Sequence, residues 1–112
     1  MYNKYRNTKV IYDGFKFDSK KEAKRWEQLK LLEKAKEITE LQRQKKFILQ
    51  PSYTNNLGKH IREISYIADF FYYDNKQKIY IVEDVKGIKT EVYKLKKKIF
   101  EYVYPNLTIK EI

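Results

Sequence analysis

The chain has no cysteine and only one histidine, two prolines, three glycines and one methionine in 112 residues. Without cysteine there is no disulfide, no thiolate zinc site and no cysteine nucleophile, and the composition fits a reducing compartment. A lone histidine, His60, excludes a two-histidine acid–base pair and the two-histidine zinc helix. No glycine stands in a Gly-x-x-x-x-Gly-Lys frame, so there is no phosphate-cradling P-loop. No apolar run approaches the roughly 18 residues of a membrane span. The polar start Met1–Lys9 does not read as a secretory signal peptide. The expectation is a cytoplasmic protein with no membrane partner.

What the chain has in excess is positive charge. Lys and Arg number 25 against 15 Asp and Glu, a net charge of +10, which points to a polyanionic partner. Hydrophobic residues make up 42% and aromatics 16%, too rich a mixture for a disordered basic tail. The length suits one domain over residues 1–112 with a modest core.

Residues 1–9 read as a basic N-terminal arm. Val10–Tyr12 and Phe15–Phe17 read as short strands around Asp13-Gly14, a pair that tolerates positive φ. Ser19-Lys-Lys-Glu22 is a capping-box pattern that predicts a helix start. Ala23, Trp26, Leu29 and Leu32 give that helix its apolar stripe, with fraying near Lys36. Leu41, Phe47, Ile48 and Leu49 suggest a strand, with Arg43, Lys45 and Lys46 on an exposed part of it. Asn55, Asn56 and Gly58 suggest a turn between strands. Ile61–Tyr73 and Lys78–Lys86 read as an antiparallel hairpin turning at Asp74-Asn75-Lys76. Thr90–Val103 reads as a second helix through Val92, Leu95, Ile99 and Val103, stopped by Pro105-Asn106 and followed by a last strand, Leu107–Ile112. The order is α-β-β-β-α-β.

Chemistry concentrates in Ile67-Ala68-Asp69-Phe70 and, 15 residues after Asp69, in Asp84-Val85-Lys86. Alternate strand residues share a face, so Asp84 and Lys86 project together, and the hairpin can set Asp69 beside Asp84. Two carboxylates that close repel unless a cation lies between them, and Mg²⁺ suits hard oxygen ligands and phosphate. An isolated Asp-x-Lys is as readily an ordinary surface ion pair. Here both acids lie among apolar neighbours, where an uncompensated carboxylate is costly.

Glu22 has two readings. As the fourth residue of the capping box it is a cap; as a member of the arc spanned by Ala23, Trp26, Leu29 and Leu32 it faces the sheet and can join a metal site. Glu83 alternates to the opposite face and stays outside that site, with a supporting or ion-pairing role open. Lys96 shares a helix face with Val92, Ile99 and Val103, which allows either a phosphate contact or a stem lying along apolar surface. Basic clusters at Lys20, Lys21, Lys24 and Arg25, at Arg43, Lys45 and Lys46, and at Lys94, Lys96, Lys97 and Lys98 suit contacts to a nucleic-acid backbone. Each cluster alone is equally a solvated face. His60 reads as a loop residue, and the eleven tyrosines lack the Arg-His-Arg company of a tyrosine nucleophile.

Phe-Asp-Ser-Lys-Lys-Glu-Ala (17–23), Tyr-Ile-Ala-Asp-Phe (66–70), Val-Glu-Asp-Val-Lys-Gly (82–87) and Lys-Leu-Lys-Lys-Lys-Ile-Phe-Glu-Tyr (94–102) resemble a small phage-type family within the PD-(D/E)XK nuclease superfamily. That family has been related to Holliday-junction resolvases. The resemblance implies a restriction-endonuclease-like α/β (α+β) fold, with an α-β-β-β-α-β core and a mixed central sheet flanked by helices. It implies a Mg²⁺-dependent endodeoxyribonuclease, with Mn²⁺ as substitute, acting in DNA recombination on branched or four-way-junction DNA. A homodimer would match the two-fold symmetry of such a junction. A phage origin would place it in the cytoplasm of a bacterial host. Asp69 and Asp84 would be metal ligands with Glu22 and the Val85 carbonyl, and Lys86 the catalytic lysine. Lys20, Lys21, Arg25, Lys45, Lys46, Lys94, Lys96 and Lys97 would meet DNA. Ala68 stands where the superfamily name has proline, a position that supplies no ligand. The alternatives are a structure-tolerant or nicking nuclease, and a basic DNA-binding module without catalysis.

Overall fold

The structure, a computed structural model, describes residues 9–112, and the expected basic arm lies outside the described residues apart from Lys9. A hairpin of β1 (Val10–Tyr12) and β2 (Phe15–Phe17) turns at Asp13 and Gly14, whose φ angles of 55° and 79° are those that Asp-Gly admits. Helix α1 (Lys20–Lys34) follows. Its N-cap Ser19 accepts the Glu22 amide through Oγ at 3.1 Å, so the helix starts where the sequence places it, but the reciprocal Glu22 contact goes to the Asp18 amide rather than to Ser19. β3 (Ile38–Gln50), β6 (Ile64–Asp74), β7 (Ile79–Asp84) and β8 (Ile109–Glu111) make a four-stranded sheet in the order β3-β6-β7-β8. The first two pairings are antiparallel and the last is parallel. β4 (Tyr53–Thr54) and β5 (His60–Ile61) form a separate small hairpin between β3 and β6. Helix α2 (Glu91–Val103), capped by Thr90, makes the crossover between the parallel strands. The fold is α+β, with the main-sheet order α-β-β-β-α-β and a mixed sheet, as expected.

Adjacent residues of β7 divide the core. Val82 packs with Tyr93 and Phe100 of α2, whereas Ile81 joins the cluster of Trp26 and Leu29 of α1. Neighbouring strand residues face opposite sides, so the two helices cover opposite faces of the sheet. α2 is rotated from its expected setting. Tyr93 and Phe100 are buried, while Val92 and Leu95 are 63% and 58% exposed and Val103 is also exposed. Two apolar stripes compete on this helix, and the aromatic one offers more area to bury. Phe100 meets Phe47 and Tyr66 edge-on, with ring centroids 5.0 and 5.4 Å away.

The long strands turn over midway. On β6, Tyr66 and Ala68 join the α2 cluster, but Phe70 and Tyr72 join the α1 cluster despite equal parity. On β3, Arg43 lies against Phe15 and Phe17, while Phe47 faces Phe100. Between them Gln44 takes a φ of 56°, a left-handed setting that costs a non-glycine residue about 1–2 kcal/mol. The register passes from Arg43–Phe70 to Lys45–Ala68 across this point, which lies opposite Asp69.

Candidate active site

Asp69 sits where β6 and β7 part. Their pairing ends at Phe70–Glu83, and beyond it the Asp69 carboxylate replaces the ladder by accepting the Val85 amide at 2.8 Å. Asp84, the last residue of β7, is buried, and its Oδ2 accepts the Tyr66 hydroxyl at 2.5 Å. Lys86 Nζ lies 3.3 Å from the other Asp84 oxygen and 4.2 Å from the centre of the Tyr93 ring. Asp84 and Lys86 do meet, but not by strand alternation: the strand expected to run to Lys86 ends at Asp84, and Lys86 reaches back from the segment that follows. Glu83 turns to the opposite face, as its parity requires.

Glu22 is buried at the start of α1, where it caps the helix in part. Its backbone amide donates to Ser19, and its Oε1 accepts the Asp18 amide at 3.3 Å. The other oxygen faces Gln44, whose amide nitrogen lies 3.5 Å from both Glu22 Oε2 and Asp69 Oδ1. Gln44, at the turn-over of β3, thus spans two carboxylates from different elements.

The electrostatics follow from this crowding. Burial, then the hydrogen-bonded and charged Asp84, push the Asp69 carboxyl up to about 8, against the lowering effect of the Val85 amide. Burial also raises Glu22, with Asp18 and Asp84 adding to the rise, while the Asp18 amide and Arg43 oppose it. Neighbouring acids each disfavour the other's ionisation, the condition a divalent cation relieves. Among the described residues no three acidic or histidine side chains converge closely enough to cage a metal ion on their own. Mg²⁺ does not require such a cage, because it keeps several waters and uses one or two carboxylates with phosphate oxygens. Asp69 and Asp84 fit that donor set, and the Gln44 amide links Glu22 to Asp69.

A cleft of about 300 Å³ opens beside Lys86, lined by Tyr66, Thr90, Tyr93 and Lys96 among others. Lys96 faces this cleft, half-buried, although Val92 and Val103 on its expected face are exposed. The other expected phosphate contacts divide. Lys20 and Lys21 are exposed at the start of α1. Lys46 pairs with Glu63, Lys94 with Glu91 and Lys97 with Glu111, all near the surface, where such pairs are weak and exchange readily. Lys45 lies about 6 Å from the rings of Phe47 and Phe71.

Arg25 departs from expectation. Its guanidinium is held by the fully buried Glu83 at 2.6 and 2.8 Å and by Gln28, so it belongs to the α1–sheet contact rather than to a DNA face. Arg43 departs too: it is wedged between Phe15 and Phe17 and donates to the Lys16 carbonyl at 3.0 Å. Gln44, Tyr66 and Tyr93 are site neighbours that sequence reasoning missed. Nothing in the triplet Arg-Gln-Lys marks the turn-over.

A family profile described as "Protein of unknown function (DUF1064)" matches residues 2–112. The chain belongs to this family. No curated protein and no solved structure matches it. The DUF1064 profile spans all the elements just described, so Glu22, Asp69, Asp84 and Lys86 all fall within it.

Proposed function

We propose that this DUF1064 protein is a metal-dependent endodeoxyribonuclease of the PD-(D/E)XK type. The observation that carries the reading is the meeting of Asp69 and Asp84 beside Lys86, at the point where β6 and β7 separate. Acids so placed beside a lysine-lined cleft are poorly explained by binding alone, since carboxylates repel the phosphates that Lys86 and Lys96 attract.

In this reading Asp69 and Asp84 hold Mg²⁺, for which Mn²⁺ substitutes, with Glu22 and the Val85 carbonyl as further expected contacts. Mg²⁺ bound there supplies charge stabilisation for the phosphate under attack. Asp84 fixes the Lys86 ammonium, and Tyr66 fixes Asp84 in turn. Lys86 Nζ orients the attacking water or the scissile phosphate. Lys96 faces the same cleft and holds the phosphate backbone there. Lys20, Lys21, Lys45, Lys46, Lys94 and Lys97 supply longer-range attraction to DNA. Branched DNA, in particular a four-way junction, is the proposed substrate, with a homodimer cutting its two symmetric strands. Recombination is the corresponding role.

The test is cleavage of end-labelled four-way junction, linear duplex and single strand, with Mg²⁺, Mn²⁺ or EDTA. Paired metal-dependent cuts in the junction support the full reading. Cuts in all three forms leave a structure-tolerant nuclease. Tight DNA binding without cleavage under any metal replaces the enzyme with a binding module.

A further inference from the structure

We propose that the β4–β5 hairpin is a wedge for branched or kinked DNA, with Leu57 entering the base stack and Lys59 and Arg62 holding the neighbouring phosphates. The proposal rests on the DNA-directed reading above and adds to it the element that recognises the branch.

Leu57 is 85% exposed at the tip of a turn, where it serves no core. The turn is braced from within. Asn55 Oδ1 accepts the amides of Leu57 and Lys59 at 2.9 and 3.0 Å, the Asn55 amide donates to the Lys59 carbonyl at 2.9 Å, and Gly58 takes a φ of +78°. An apolar side chain presented by a braced turn loses little freedom when it finds a partner. Residues 51–62 contain Lys59 and Arg62 and no Asp or Glu, and Tyr53 adds a half-exposed ring on β4. An apolar tip on a hairpin whose charged residue is Lys59, with Arg62 just after it and Glu63 paired to Lys46, fits DNA, whose backbone binds the positive charges and whose unstacked steps accept leucine.

The connection to the site is direct. Arg62 lies two residues before β6, the strand that carries Asp69. The twelve residues from Leu57 to Asp69 span at most about 40 Å even when fully extended, comparable with the roughly 34 Å of one duplex turn. One arm of a junction can therefore meet the carboxylates and the wedge together. Four-way junctions suit this device because bases at the branch are already partly unstacked, which lowers the cost of insertion.

The experiment uses the full chain in EDTA, with a four-way junction carrying 2-aminopurine at the branch and a linear duplex of matching sequence. The wild type is expected to raise the fluorescence at the branch. Leu57→Ser should abolish that rise and weaken junction binding about tenfold, with duplex binding changed less than twofold. Leu57→Phe should preserve both. A Leu57→Ser protein that matches the wild type in fluorescence and junction affinity overturns the proposal, as does one that weakens junction and duplex equally. Wild-type protein that binds no DNA removes this inference and the nuclease reading together. A Leu57-dependent signal from a protein that never cleaves with Mg²⁺ or Mn²⁺ removes the nuclease reading and leaves the wedge standing.

Discussion

Arg25 on α1 grips Glu83 on β7 through two N–H···O contacts of 2.8 and 2.6 Å, and the Tyr72 hydroxyl donates to the same carboxylate. Glu83 is fully buried. Of two adjacent acids, one is thus neutralised on the α1 face, while Asp84 is presented to the cleft side with Lys86. Removing one partner of a buried pair strands the other charge. Arg25→Ala should therefore destabilise the fold by about 3–5 kcal/mol in denaturant titration. Arg25→Met combined with Glu83→Leu should recover most of that loss and keep wild-type DNA affinity. A double variant with strongly weakened DNA binding would return Arg25 to the phosphate contacts.

The Asp84–Lys86 pair separates catalysis from binding. Asp84→Asn should cut the cleavage rate by at least about 100-fold while DNA affinity holds or rises, because a carboxylate that repels phosphate is gone. Lys86→Ala should lower the rate at least as much and also weaken binding. Single-turnover cleavage and EDTA binding titrations on the same preparations read the two effects independently. Equal losses of binding and rate in Asp84→Asn would point to misfolding of the β7 end instead.

Asp69 gives a pH signature of the metal-free protein. Burial and the neighbouring Asp84 push its folded carboxyl up to about 8 from an ordinary value of 3.8. Between those values the folded chain keeps a proton that the unfolded chain has lost, so stability falls as pH rises through this window. A cation that binds the ionised pair offsets the loss. Thermal melts in EDTA should therefore decline from pH 5 to 8, and Mg²⁺ should raise the melting temperature more at pH 8 than at pH 5. Asp69→Asn should make the EDTA profile shallower, the raised Glu22 keeping part of the slope, and remove most of the Mg²⁺ effect. A flat wild-type profile would mean that the carboxyls are not crowded as described.

Local chemistry was the part of the fold most legible in the residues. Asp13-Gly14, Ser19 and Pro105 each fix a turn or a helix end by their own stereochemistry, and each does so here, while Thr90, read as the first helical residue, serves as the cap just before it. Strand parity likewise separates Glu83 from Asp84, whereas Lys86, beyond the end of β7, meets Asp84 without it. Two features needed the tertiary structure. The rotation of α2 is a contest between an aliphatic stripe and an aromatic one, decided by the space beside Phe47 and Tyr66 rather than by periodicity. The turn-over at Gln44 depends on a positive φ in a residue that does not advertise it. Without that turn-over, simple parity would place Phe70 with Ala68, and the bridging of Glu22 and Asp69 by the Gln44 amide would be invisible.

The rotation of α2 leaves an apolar stripe outside, and this bears on assembly. Val92, Leu95 and Tyr102 are 63%, 58% and 86% exposed, and Ile88, just before the helix, is 57% exposed. A homodimer formed through this stripe would be isologous, the same patch meeting itself, and Val92 sets the stripe against the edge of the cleft. Leu95→Glu introduces facing carboxylates at such a contact without touching the buried Tyr93 and Phe100. It should convert a dimer to a monomer in sedimentation at micromolar protein, leave the melting profile of dilute protein within a few degrees (about 0.5 kcal/mol for a surface change) and replace paired junction cuts by single nicks. Unchanged sedimentation with unchanged cut pairing would exclude the α2 stripe as the interface and direct attention to another face.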